Sequence, residues 1–217
     1  MQPFHFYTRI TQVELLGRTA KNIQELLKGI KEVPNSSIYH HTHRYLEQHR
    51  EFCPEHPNDF SYWIATSLGL KSLAERISSV DIIQFEDIES LRRKFIEILE
   101  DYLSHSKILR DALPGEEFKF LSSRIFILPT HFIAKNLEEF KQYLSKVTIH
   151  SIYFHMFEAR MRLKKEDNDF SCWLRDAGFK SLAYKISKLD PYTYTLEGLR
   201  RQIIELVEQE IENEKNR

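Results

Sequence analysis

Residues 20–39, AKNIQELLKGIKEVPNSSIY, return as residues 134–153, AKNLEEFKQYLSKVTIHSIY, with eight of twenty positions identical and no gap. Ordinary composition gives about one or two such identities by chance. Internal repetition limits what a chain can fold into, because each copy must build the same element order. The likeness continues along the chain. Asn58–Trp63 (NDFSYW) is answered by Asn168–Trp173 (NDFSCW), Lys71–Asp81 (KSLAERISSVD) by Lys180–Asp190 (KSLAYKISKLD), and Leu91-Arg92-Arg93 by Leu199-Arg200-Arg201. Phe4-x-Phe6 and Phe118-x-Phe120 stand at the head of the two copies. The sequence divides into two repeats, 1–110 and 116–217, joined near Leu113-Pro114-Gly115 and expected to pack tightly.

Periodicity within each repeat is mostly helical. Asn22-x-x-Glu25 and Asn136-x-x-Glu139 are capping boxes, the first opening an apolar stripe of Ile23, Leu26, Leu27 and Ile30. Ser37 and Ser151 are candidate N-caps of a second helix. The NDF segment starts a third helix, with Phe60, Trp63, Ile64 and Leu68 on one face and Gly69 or Gly178 as its stop. A short fourth helix and a long fifth follow. FHFY, FKFL and RIFIL predict short strands near 3–8 and 117–128, able to pair across the two repeats. The expected class is therefore mainly α, with about five helices per repeat and a small β element.

Bulk properties exclude several functions. Thirty-one Lys and Arg balance thirty-two Asp and Glu, so neither nucleic acid nor an anionic membrane is an expected partner. MQPFHFYTR lacks the basic start and apolar run of a signal peptide, and the cytoplasm is the expected location. The two cysteines, Cys53 and Cys172, lie far apart and form no Cys-x-x-Cys motif. No P-loop, Gly-rich dinucleotide fingerprint or G-x-S-x-G elbow is present, so no cofactor is implied.

The segment SSIYHHTHRYLEQH (Ser36–His49) carries four histidines. In the second repeat His40 becomes Phe154 and His43 becomes Phe157, while His41 persists as His155. The recurring pair is expected to be more buried than His40 and His43, with a polar partner from the NDF segment of its own repeat. One residue of Asn58-Asp59, or of Asn168-Asp169, suffices as an N-cap, which leaves the other to reach the imidazole. Glu158 lies three residues after His155 and could share its helix face, but its counterpart is Arg44, and no HExxH spacing occurs. A metal is therefore not expected. Arg160, Arg162, Lys164 and Lys165, with Arg44, could meet an anion or simply oppose a helix dipole.

The set SIYxH, NDFSxW and LxxLR, occurring twice behind F-x-F, resembles a bacterial family known only as a domain of unknown function. The resemblance spans nearly the whole chain and implies no catalytic residues. Three readings fit the sequence. The first is a protein that binds a small ligand or a protein partner in the groove between its repeats, through His41, His155, Asp59, Asp169, Glu158, Arg44 and Arg160. The second is an enzyme of unrecognised class using the same histidines and carboxylates. The third is a structural adaptor, which should present an exposed apolar patch.

Overall fold

The computed structural model describes residues 2–45, 56–82, 84–106, 110–159, 167–189 and 194–216. The first repeat runs β1 (Phe4–Ala20), α1 (Ile23–Glu32), α2 (Asn35–Tyr39), a π-helical turn (His40–Arg44), α3 (Asp59–Thr66), α4 (Lys71–Ser78) and α5 (Ile88–His105). The second gives the same order: β2 (Phe118–Ala134), α6 (Leu137–Leu144), α7 (Ile149–Tyr153), a π-helical turn (Phe154–Glu158), α8 (Asp169–Asp176), α9 (Lys180–Ser187) and α10 (Leu196–Lys215). β1 and β2 pair antiparallel as a two-stranded ribbon.

The expectation of a mainly α chain with short strands near 3–8 and 117–128 is overturned. Each strand is seventeen residues long. Of the described residues 58% are helical and 18% lie in the ribbon, so the class is a mix of α and β. The difference has a physical cause. Residues 11–19 of β1 are all half-buried or exposed, and a ribbon with so little covered backbone shows only faint alternation.

Two compact units form: Thr11–Arg124, and Met1–Ile10 together with Ile125–Arg217. The boundary passes through the middle of both strands, not through the Leu113–Gly115 joint. Each repeat therefore sends the head of its strand into the helices of the other. In the N-terminal unit Phe118 and Phe120 belong to a core with Ile23, Leu26, Phe60, Leu91 and Phe95. In the C-terminal unit Phe4 and Phe6 belong to a core with Leu137, Phe140, Phe170, Leu199 and Ile203. Phe118 stacks on Phe60 at 5.3 Å and Phe6 on Phe140 at 5.6 Å between ring centroids. Burying one such ring contributes about 1.5–3 kcal/mol.

Local chemistry explains the helix ends. Asn22 and Asn136 accept from the backbone N–H of Glu25 (3.0 Å) and Glu139 (2.8 Å), while those glutamates accept from Lys21 and Lys135 N–H. Asn58 and Asn168 cap α3 and α8, each accepting from a serine N–H at 2.9 Å. Such a cap is worth about 1 kcal/mol. Gly69 (φ 65°) and Gly178 (φ 95°) end these helices in the left-handed region, which favours glycine. Ser37 and Ser151 are not caps: α2 and α7 begin two residues earlier, behind Pro34 and Thr148, and both serines are buried inside the helix. The repeated Leu-Arg-Arg also has a structural task, for Arg92 is buried and donates to the carbonyl of Val33 at 2.7 Å beyond the end of α1.

Gly29 has no counterpart glycine, since Tyr143 fills the equivalent position. A Cβ on Gly29 would overlap the Phe120 ring, so α1 gives up a side chain to let the exchanged strand lie close.

Candidate functional site

His41 and His155 are 2% exposed and sit in the two π-helical turns. Extra-wide turns of this kind re-aim side chains and recur at special sites. His41 Nδ1 lies 2.6 Å from Asp59 Oδ2, and His155 Nδ1 lies 2.7 Å from Asp169 Oδ2. On the far side of the ring, His41 Nε2 accepts the backbone N–H of Leu121 at 2.9 Å. His155 Nε2 accepts that of Tyr7, also at 2.9 Å. A backbone amide can only donate, so each Nε2 is the acceptor and Nδ1–H donates to the carboxylate. Both ring nitrogens are thus engaged, one with the helix that follows and one with the exchanged strand.

The tryptophans of the same motif complete the hold. Trp63 Nε1 donates to the Glu116 carbonyl at 2.7 Å, and Trp173 Nε1 to the Gln2 carbonyl at 2.8 Å. Each F-x-F segment is fixed at three places: a carbonyl two residues before the first phenylalanine, the two rings, and the amide just after the second. In NDFSxW, asparagine caps, aspartate orients the histidine, phenylalanine packs on the strand and tryptophan bonds to it. Every residue named in this motif thus touches the exchanged strand or positions a group that does.

Around these equivalent clamps the two units differ. His40 and Phe154 both meet the recurring histidine edge-on, at 4.9 Å. His43 stacks on Tyr39 at 5.4 Å, as Phe157 stacks on Tyr153 at 5.0 Å. These contacts explain why imidazole and phenyl interchange. His40, His41, His43 and His155 are all buried; His40 and His43, at 7% and 6% exposure, differ little from the recurring pair. Glu158 forms a buried ion pair with Arg9 of β1, whose guanidinium lies 4.5 Å over the Tyr153 ring. At the equivalent places the N-terminal unit has Arg44 on the helix, half-buried, and Ser123 on the strand, bonded to His40 Nδ1 at 2.8 Å. Arg160 and the rest of the basic run, with His49 and Cys53, lie outside the described residues.

His40, His41 and Asp59 bring three ligand-type atoms within 4.8 Å of one another. They do not suit a cation. Metal on His41 Nδ1 would leave the proton on Nε2, facing the Leu121 N–H donor to donor. The second unit has Phe154 in place of His40.

Burial, first of all, pushes His40 down to about 4, with the neighbouring Asp59 opposing it. Between that value and the ordinary 6.5 the unfolded chain binds a proton that the folded chain refuses. The resulting stability is complete above the unfolded value and is lost as pH falls towards 4. His40→Phe, which copies Phe154, should flatten this acid slope; urea unfolding at about pH 7 and pH 5 measures it, and an unchanged slope would contradict the assignment. Cys172 offers no nucleophile, because burial and the neighbouring Asp167 push its thiol pKa up.

The family model DUF5752, described as a family of unknown function, matches residues 1–208 and so spans both repeats and both clamps. The chain belongs to this family. The structure of OrfY from Thermoproteus tenax is similar over 95% of this chain and 94% of that one, at 27% identity and a TM-score of 0.77. No curated protein matches. Among the described residues no helix is long and apolar enough to cross a membrane.

Proposed function

We propose that this member of the family acts by binding another protein through the outer part of its β-ribbon, rather than by catalysis at His41 or His155. One observation carries the reading. In the C-terminal unit Tyr7, Ile10, Phe126, Ile127, Leu128 and Ile133 are between 37% and 57% exposed, all on the ribbon. Successive side chains of a strand face opposite sides, so Phe126 and Leu128 share one face with Ile127 on the other, and large apolar groups stand exposed on both faces of this ribbon. A concentration of large exposed apolar groups marks a surface that serves an interaction.

The clamp geometry supports the same choice. A general base needs a ring nitrogen within reach of a substrate proton, and the strand amides already hold Nε2 of both histidines. A photo-crosslinking residue in place of Phe126, activated in cells expressing the full chain, should yield protein–protein adducts. The same residue in place of Tyr184, an exposed position on α9, should not. No adduct at position 126, or equal yields at both positions, would remove the basis for this reading.

A further inference from the structure

Both clamps grip the same features of a strand: two phenylalanine rings, a carbonyl taken by tryptophan and an amide taken by histidine. Nothing in that grip distinguishes the head Phe4–Arg9 (FHFYTR) from the head Phe118–Ser123 (FKFLSS). A duplicated chain with two such sites is exposed to misassembly, because either head matches either clamp. Aligned on their phenylalanines, the heads differ at four positions, and three of the differences are mild. His5 and Lys119 are both exposed, and Tyr7 and Leu121 both offer the clamp a backbone amide. Thr8 and Ser122 each bond through a hydroxyl to a hydroxyl of their own unit, Thr148 and Ser36. The fourth difference changes charge: Arg9 stands where the other head has Ser123.

We infer that Arg9 with Glu158 in the C-terminal unit, and Ser123 with Arg44 in the N-terminal unit, assign each strand head to its clamp. Arg9 is 2% exposed, pairs with Glu158 and lies over the Tyr153 ring. The N-terminal unit has the same ring, as Tyr39, so shape alone would accept a guanidinium there too. Charge would not. Glu158 closes one π-helical turn and Arg44 closes the equivalent one. Ser123 touches His40, and Arg44 lies near enough for its charge, after burial and His41, to disfavour a proton on that ring. Arg9 in the N-terminal clamp would therefore meet a second cation partly shielded from water, where like charges repel strongly. Ser123 in the C-terminal clamp would deprive the buried carboxylate of Glu158 of its counter-charge. The native assignment avoids both penalties. A buried ion pair gives little net stability over apolar packing, whereas its disruption is costly, and that difference is what selects one pairing over another.

Thermal unfolding of full-length variants tests the inference. Arg9→Ser combined with Ser123→Arg presents each clamp with the other head's residue, so the loss measures the rejection directly. The midpoint should fall by about 10 °C or more, or the variant should fail to fold. Adding Arg44→Glu and Glu158→Arg matches both units again with their charges interchanged, and should recover at least about half of the loss. His5→Lys combined with Lys119→His exchanges the heads at an exposed position and should stay within about 2 °C of the wild type. A strand exchange no more damaging than this control would overturn the inference. So would a fourfold variant no more stable than the strand exchange alone, which keeps the test decisive even where that variant does not fold.

Discussion

Phe6→Ala and Phe120→Ala should each lower the free energy of unfolding by about 3–5 kcal/mol, and each should loosen the repeat to which it does not belong in sequence. Both rings are 1% exposed, and each sits among residues of the other repeat's helices. Truncation removes the ring's transfer energy and leaves a cavity that a strand fixed at both ends cannot collapse to fill. Hydrogen exchange separates the two outcomes. Phe6→Ala should accelerate exchange in α6–α10 before α1–α5, and Phe120→Ala the reverse. If Phe6→Ala loosened α1–α5 first, the strands would belong to their own repeats and the exchange would be wrong.

His41→Phe and His155→Phe should cost roughly 1–3 kcal/mol each, although phenylalanine fits rings already packed on Phe118 and Phe4. Each substitution takes the Nε2 acceptor from a strand N–H, and an orphaned buried group costs about that much. Asp59→Asn and Asp169→Asn keep an acceptor for Nδ1–H and should cost much less. The contrast matters, because a purely steric role for the histidine would leave the phenylalanine variants stable. Thermal or urea unfolding of the four variants decides it, and a loss under about 1 kcal/mol in both phenylalanine variants would contradict the clamp.

Part of this arrangement is legible in the residues. The pairing of His41 with Asp59 and of His155 with Asp169 follows from which polar residues recur and which give way to phenylalanine. The other half of the clamp is hidden, because its partners are the backbone amides of Leu121 and Tyr7, and any residue type supplies an amide. The F-x-F repeat is visible, but nothing in its spacing says that each copy lodges in the opposite repeat. Arg9–Glu158 is hidden for a related reason: the arginine stands on the strand in one unit and, as Arg44, on the helix in the other, so alignment of the repeats disguises it.

His41 and His155 hold strand amides with Nε2 and carry their proton on Nδ1. Long-range ¹H–¹⁵N correlation spectra of the full chain test it most directly, because they report which imidazole nitrogen bears the proton. Both rings should appear as Nδ1–H tautomers, with a scalar coupling across the hydrogen bond from Nε2 to the amide nitrogen of Leu121 in one case and Tyr7 in the other. A proton on Nε2 of either ring, or an Nε2 without coupling to its strand amide, would contradict the account and return the histidines to the list of candidate catalysts.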